Sequence, residues 1–223
     1  MSKRLRLPAG READRRFVGQ ALADHPDDHK ISFTGSTTTG RRIVMAALGN
    51  LKKLSLELGG KSPVIVMPDA DLDLAIPGVA MATFFLQGQN CMAGTRVFAH
   101  EAIHDALVEG MASFVEGMTM GHGLDPATVQ GPLISDTHCA KVMGYIDGAI
   151  AAGARLVAGG DKLARQGNFV RPTIFADCRP DMAVVREEIF EPVMAVQKVS
   201  TTNIDGLAAF ANDTPYGLSG SVW

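Results

Sequence analysis

Between residues 30 and 58 the chain reads strand, glycine turn, helix, strand, and that order restricts its fold more than any other feature. Residues 30–34 and 52–58 alternate apolar and polar side chains, the period of a strand, while residues 37–48 read as a helix. The same alternation continues downstream. Residues 18–23 close an earlier helix, and residues 64–66 form a short strand. Asp71 can cap a helix running to about residue 86, because its carboxylate accepts from free N–H groups of the first turn. A loop with Cys91 follows, then a strand at 96–99. Ile103, Leu107, Met111, Phe114, Val115 and Met118 recur at helical spacing, so 101–119 is expected as an amphipathic helix whose methionines belong to the core. Residues 121–132 read as a loop, 136–152 as a helix, and 172–175 and 194–199 as strands. Strands alternating with helices predict an α/β fold with a mainly parallel sheet. The domain boundary is expected at residues 58–60, which divides the chain into 1–57 and 58–223.

Composition narrows the function classes. With 223 residues, 46% hydrophobic and 20% charged, the chain has apolar material for a sizeable core. Its net charge of -3 is spread over mixed signs, so nucleic acid and membrane partners are not expected. Cys91, Cys139 and Cys178 are too few, and odd in number, for a disulfide framework, which points to a reducing compartment. The start, Met1-Ser2-Lys3-Arg4-Leu5-Arg6, leads into Pro8, Gly10 and Glu12 rather than an apolar stretch, so no secretory signal is expected. The longest apolar run, near 79–86, is too short to span a bilayer, and a cytoplasmic location is the expectation.

Two segments carry chemistry together. One is Leu56-Glu57-Leu58-Gly59-Gly60-Lys61-Ser62-Pro63, and the other is Gly88-Gln89-Asn90-Cys91. A thiolate adds readily to carbonyl carbon, and a carboxylate in the same cleft can take a proton from the water that later releases the acyl group. Cys139, inside a helix, and Cys178, after a strand, have no such surroundings and read as structural. Lys61 is expected to position backbone.

Gly35 to Gly40 lies between a strand and a helix, where backbone N–H groups can face a phosphate. A nucleotide hydrolase loop would need Lys and then Ser or Thr after its second glycine, whereas Arg41 and Arg42 follow Gly40. His100-Glu101-Ala102-Ile103-His104 has the zinc protease spacing, but it falls at a strand–helix junction and lacks the extended motif, so no metal is assigned. Asp69, Asp71 and Asp73 begin like a calcium loop, but Leu74 stands where the turn requires glycine, and they read as a helix start.

The Glu57 and Cys91 segments resemble the signatures of the NAD(P)-dependent aldehyde dehydrogenase family. Ile31-Ser32-Phe33-Thr34-Gly35-Ser36-Thr37, Asp69-Ala70-Asp71-Leu72-Asp73, Glu187-Glu188-Ile189-Phe190 and Asn212-Asp213-Thr214-Pro215-Tyr216-Gly217-Leu218 match further family segments in the same order. The resemblance is closest to the phenylacetaldehyde dehydrogenase-like branch, through residues 84–91 and 132–144. It implies a parallel-sheet fold truncated at both ends. Residues 1–57 would be the end of the dinucleotide-binding domain, and 58–223 a catalytic domain without its final strands. It further implies Cys91 as nucleophile, Glu57 as general base, and NAD or NADP as cofactor. Gly35, Ser36, Leu58, Glu188 and Phe190 would contact that cofactor, Ser36 through phosphate, Glu188 through the nicotinamide ribose and Phe190 beside the nicotinamide. The substrate would be a small aldehyde, and a homo-oligomer is compatible with the family.

The chain also departs from the family pattern. The family's oxyanion-hole asparagine and cofactor-ribose lysine have no counterpart, and Arg11-Glu12-Ala13-Asp14-Arg15-Arg16 replaces an expected strand and glycine turn. Glu191 stands where the family usually has glycine before Pro192, which is expected to strain the loop beside Phe190. The expected function is oxidation of an aldehyde to an acid. The alternatives are a non-catalytic remnant and a cysteine-dependent esterase, the latter marked by ester turnover indifferent to added NAD. A zinc peptidase ranks third, to be tested by metal analysis.

Overall fold

The protein is seen here as a computed structural model that describes residues 15–223. The basic start, the segment from Leu7 to Gly10 and most of the segment replacing the expected strand lie outside the described residues. The chain divides into two compact units between Gly59 and Gly60.

The first unit holds α1 (Arg15–Asp24), β1 (Lys30–Thr34), α2 (Thr37–Ala47) and β2 (Lys53–Glu57). β1 and β2 pair in parallel, with Ile31 opposite Leu54 and Thr34 opposite Glu57. This is the strand–helix–strand unit read from the sequence. α2 starts where it does because Ser36 has extended backbone and its Oγ accepts the Thr39 N–H at 3.2 Å. Gly40 is buried on α2 because a Cβ there would come within 2.6 Å of Leu58 Cδ2. The turn ahead of β1 is held by Asn50, whose Nδ2 donates to the carbonyls of Pro26 and Asp28 at 2.8 and 2.9 Å.

The second unit is built on six strands: β3 (Pro63–Val66), β4 (Arg96–His100), β5 (Arg155–Ala158), β6 (Thr173–Ala176), β7 (Val193–Val199) and β8 (Ser221–Val222). Their order is β5-β6-β7-β4-β3-β8, and every neighbouring pair is parallel except β5 with β6. The helices are α3 (Leu72–Phe84), α4 (His104–Glu116), α5 (Asp136–Ala151), α6 (Ala183–Arg186) and α7 (Ile204–Asn212). Side chains alternate through the sheet. Met194 and Val196 of β7, with Ile174 and Ala176 of β6, join a core under α3 and α4. Val193, Ala195 and Phe175 point the other way into a core with α5, containing Val142 and Ile146. Both faces are covered, which is why these strands read as near-continuous apolar runs.

Four differences from the sequence reading have local causes. The helix expected to reach residue 86 ends at Phe84, because Leu86 and Gln87 are left-handed (φ 54° and 60°) within a 3-10 turn, Phe85–Gly88. α4 starts three residues later than expected, after a turn in which the Ile103 N–H bonds to the His100 carbonyl. It also stops early. Val129 and Gln130 both donate to the Thr119 carbonyl and draw residues 118–120 into a bridge between Met120 and Gln130. Finally, β5, α6, α7 and β8 are not expected from the sequence; β5, α6 and β8 are only four, four and two residues long, too short to carry a period. Asp71 caps α3 as expected, accepting the Asp73 N–H at 3.0 Å. Among the described residues no helix is long and apolar enough to cross a membrane.

Candidate active site

The expected site residues fall in both units. In the first, Gly35 donates its N–H to the Glu57 carbonyl at 3.0 Å, which joins the start of the glycine turn to the end of β2. Ser36 is exposed, and its Oγ both caps α2 and lies 3.0 Å from Thr39 Oγ1. The N-terminus of this eleven-residue helix thus directly follows the half-buried Gly35 and the exposed Ser36. Glu57 ends β2 with its side chain exposed, and Leu58 is half-buried against α2.

In the second unit, Gly60 brings together two of the expected features, the Cys91 loop and Glu188. A Cβ on Gly60 would lie 2.2 Å from the carbonyl oxygen of Cys91, so only glycine lets the two backbones approach this closely. Its N–H donates to Glu188 Oε1 at 3.1 Å. The loop bearing Cys91 is fixed from every side. Asn90 Oδ1 accepts the Met92 N–H at 3.1 Å, Ser219 Oγ donates to the Met92 carbonyl at 3.2 Å, and Thr83 Oγ1 donates to the Gly94 carbonyl at 2.6 Å. Gln89 Oε1 accepts the Ile134 N–H at 3.1 Å. Gly88 has φ 67°, and a Cβ there would meet the Glu191 carbonyl oxygen at 2.2 Å. Cys91 itself is half-exposed, whereas Cys139 and Cys178 are buried, and burial pushes the Cys178 thiol up to about 12. A cavity of about 370 Å³ opens beside the loop, lined by Phe85, Asn90, Met92 and Met81.

Electrostatics behind this loop was not legible in the sequence. Arg96 is buried at the start of β4, donates from Nε to the Lys61 carbonyl at 2.8 Å, and reaches the Ala211 carbonyl through Nη2 at 2.6 Å. Lys61 is buried as well. Burial first, and the Arg96 charge second, pull its amine down to about 7, against the opposing pull of Glu188. The one signal for Arg96 was a charge at the head of an apolar strand. Gln130 is also buried, and its Nε2 donates to the Phe84 carbonyl at 2.8 Å, closing the end of α3. His100 and His104 occupy the end of a strand and the start of a helix. His100 Nδ1 accepts the Ala102 N–H, and His104 Nδ1 pairs with Asp105 at 2.7 Å.

Glu188 is half-buried on Gly60, and Phe190 is 39% exposed with φ 67°, a left-handed conformation that costs an aromatic residue energy. The next residue, Glu191, is fully buried, and burial raises its carboxyl to about 9.

Comparison with known proteins places the chain in a family. The profile of the Aldehyde dehydrogenase family matches residues 12–223, and the chain belongs to that family. It is 45% identical over 211 residues to a betaine aldehyde dehydrogenase of Rhizobium leguminosarum bv. trifolii (strain WSM2304), an alignment covering 93% of this chain and 43% of that protein. Among solved structures it superposes on the NAD+ complex of an aldehyde dehydrogenase from Bacillus cereus with a TM-score of 0.89 at 40% identity, covering 92% of this chain and 41% of the other. An aldehyde dehydrogenase of Mycobacterium tuberculosis complexed with NAD+ matches at TM-score 0.89 and 42% identity, over 93% of this chain and 43% of the other. The chain therefore spans about 43% of the length of the curated relative it matches.

Proposed function

We propose that this chain carries the nucleophile, the general base and part of the cofactor site of an NAD(P)-dependent aldehyde oxidation. The observation that carries the reading is the junction at Gly60, where one residue of the Glu57 segment meets both the Cys91 backbone and the Glu188 carboxylate. A half-exposed thiol on a loop held this firmly is suited to attack a carbonyl carbon.

In this reading Cys91 Sγ, as thiolate, forms a bond to the aldehyde carbon and gives a thiohemiacetal whose oxyanion can accept from the Cys91 N–H. The cofactor, when bound, supplies the hydride acceptor. Glu57 takes a proton from the water that attacks the resulting Cys91 thioester, releasing carboxylate and restoring the thiol. The residues present fit a dinucleotide in two respects. The partly exposed turn at Gly35 and Ser36 opens an eleven-residue helix suited to phosphate, and Glu188 and Phe190 share one partly exposed segment suited to a ribose and an aromatic ring. Leu58, in the first unit, is proposed as a further cofactor contact. The proposed division of roles gives residues 1–57 to dinucleotide binding and 58–223 to catalysis. Further copies of the chain are proposed as its partners.

The test is NADH formation by the purified chain with NAD+ and, in parallel, phenylacetaldehyde, betaine aldehyde and short aliphatic aldehydes, repeated with NADP+. Cys91→Ala is expected to abolish turnover, and Glu57→Gln to permit acylation while slowing release by roughly two to four orders of magnitude. Turnover that survives intact in Cys91→Ala would sink the assignment. Ester cleavage without any dinucleotide dependence would move it to a cysteine esterase.

A further inference from the structure

Glu191 is the most anomalous side chain in the second unit. It is fully buried, and both carboxylate oxygens lack an ordinary hydrogen bond. The polar atom against Oε1 is Nε2 of His138, on the first turn of α5. An isolated carboxylate in such a place is heavily penalised, and burial favours its protonated form. The same burial holds His138 below the usual imidazole range. A neutral carboxyl facing a neutral imidazole gives Oε1 and Nε2 a partner at once, provided the carboxyl donates and Nε2 accepts.

We propose that Glu191 and His138 share a single proton, the Glu191 carboxyl donating to His138 Nε2, and that this pair positions the segment carrying Glu188 and Phe190. The cofactor-facing role of that segment rests on the function proposed above, whereas the shared proton does not. His138 touches the segment in three ways: against the Glu191 carboxyl, at 3.2 Å from the Phe190 carbonyl, and with its ring tilted at 6.5 Å from the Phe190 ring. Two turns along the same face of α5, Tyr145 donates to Glu187 Oε2 at 2.6 Å. α5 thus grips residues 187–191 at both ends. On the opposite side the Glu191 carbonyl abuts Gly88 of the Cys91 loop, so a movement of Glu191 would be felt there.

The surrounding charges favour a neutral pair only in balance. Lys141, between His138 and Tyr145 on α5, favours the carboxylate and disfavours the imidazolium. On the segment itself Glu187 is bound by Tyr145 and Glu188 by the Gly60 N–H. The 3-10 turn, Phe85–Gly88, carries no charged residue, and Gln89 beyond it is occupied by Ile134.

A change of partners follows when the carboxyl loses its proton to solvent. The imidazole must then carry its hydrogen on Nε2, where it can donate to Glu191 Oε1 or to the Phe190 carbonyl. The Phe190 carbonyl can gain this donor only in the deprotonated state. Because Phe190 is held at φ 67°, a new bond to its carbonyl bears on a residue already in an uncommon conformation.

Long-range ¹H–¹⁵N spectra of the labelled chain report the tautomer of each histidine, with His138 assigned by its loss in His138→Asn. The expected result is an Nδ1–H tautomer of His138 near neutral pH, converting to Nε2–H above about pH 9. The Phe190 carbonyl ¹³C shift is expected to move over the same range. In Glu191→Leu the conversion and the Phe190 shift should both vanish. An Nε2–H tautomer or an imidazolium near neutral pH would overturn the shared proton. A Phe190 carbonyl that stays still while the tautomer converts would overturn the positioning role. Both readouts are made on folded protein without substrate or cofactor, so they stand or fall separately from aldehyde turnover and its dependence on Cys91.

Discussion

The two units use the same parallel pairing with different degrees of cover. In β1 and β2 exposed and half-buried residues alternate, and no strand residue is buried. In β4, β6 and β7 nearly every position is buried. A parallel sheet is stable when apolar layers cover both faces. The second unit has such layers, one under α3 and α4 and one against α5, whereas the first keeps Met45, Leu48 and Leu51 exposed at 68, 61 and 84%. The difference separates what holds the Cys91 loop from what presents the glycine turn. Cys91, Glu188 and Phe190 hang from a double-sided core, while Gly35, Ser36 and Glu57 hang from a two-stranded ribbon whose order depends more on turns and caps.

The largest expected effect tests that contrast directly. Phe175 is fully buried in the core against α5, so Phe175→Ala should cost about 3–5 kcal/mol, the range for removing a buried aromatic ring. Leu51→Ala in the first unit removes an 84% exposed side chain and should stay within about 0.5 kcal/mol. Urea denaturation followed by circular dichroism measures both. Equal losses would mean that the first unit is held by contacts of the same kind, and the comparison would fail.

The intermediate effect concerns glycines. Gly60→Ala drives a Cβ to 2.2 Å from the Cys91 carbonyl, where backbone must yield, and should cost about 1–3 kcal/mol while displacing the loop. Gly35→Ala meets only the tip of the Phe33 ring, at 2.6 Å, which can swing aside. The loop can be followed by the rate of Cys91 alkylation, since the other two cysteines are buried. Gly60→Ala should change that rate and Gly35→Ala should not. An unchanged rate in both would remove Gly60 as the organiser of the site.

The contrast also explains what could be read from the chain alone. The first unit is made of local elements, and its strands and helix were legible within a residue or two because alternation and the Ser36 cap are written in adjacent positions. The parallel sheet of the second unit was legible in kind, and its long helices in place. Its short elements were not. β5 is four residues long with two exposed, and β8 is only two residues long, so neither carries a period. The candidate residues Cys91, Glu57 and Glu188 came from motif resemblance, not from any periodicity. The groups around them depend on contacts far apart in the chain. Arg96 reaches Ala211, Gln130 reaches Phe84, and His138 meets Glu191, pairings that no local window contains. Glu191 stood out only as a departure from the family pattern. Glu191 is fully buried, and Phe190 beside it has φ 67°.

The smallest effect is also the most local. Ser36 Oγ satisfies the Thr39 N–H at the start of α2, and Asp71 does the same for Asp73 at the start of α3. Replacing either cap by Ala removes one hydrogen bond to an orphan donor and should cost about 1 kcal/mol, within a range of roughly 0.5–2. The two losses should nevertheless look different. α3 packs Ala75, Val79, Ala80 and Phe84 into the core, so Asp71→Ala should lower the midpoint of unfolding without freeing the helix. α2 buries only Gly40 and Ala47, so Ser36→Ala should fray its first turn and speed amide exchange at residues 37–40 while the rest of the chain keeps its protection. Hydrogen exchange resolved by residue distinguishes the two outcomes. Fraying confined to α2 would also loosen the turn at Gly35 that is proposed to meet phosphate. Uniform loss of protection in Ser36→Ala would instead show that α2 is coupled to the rest of the fold, and the contrast between the units would need to be redrawn.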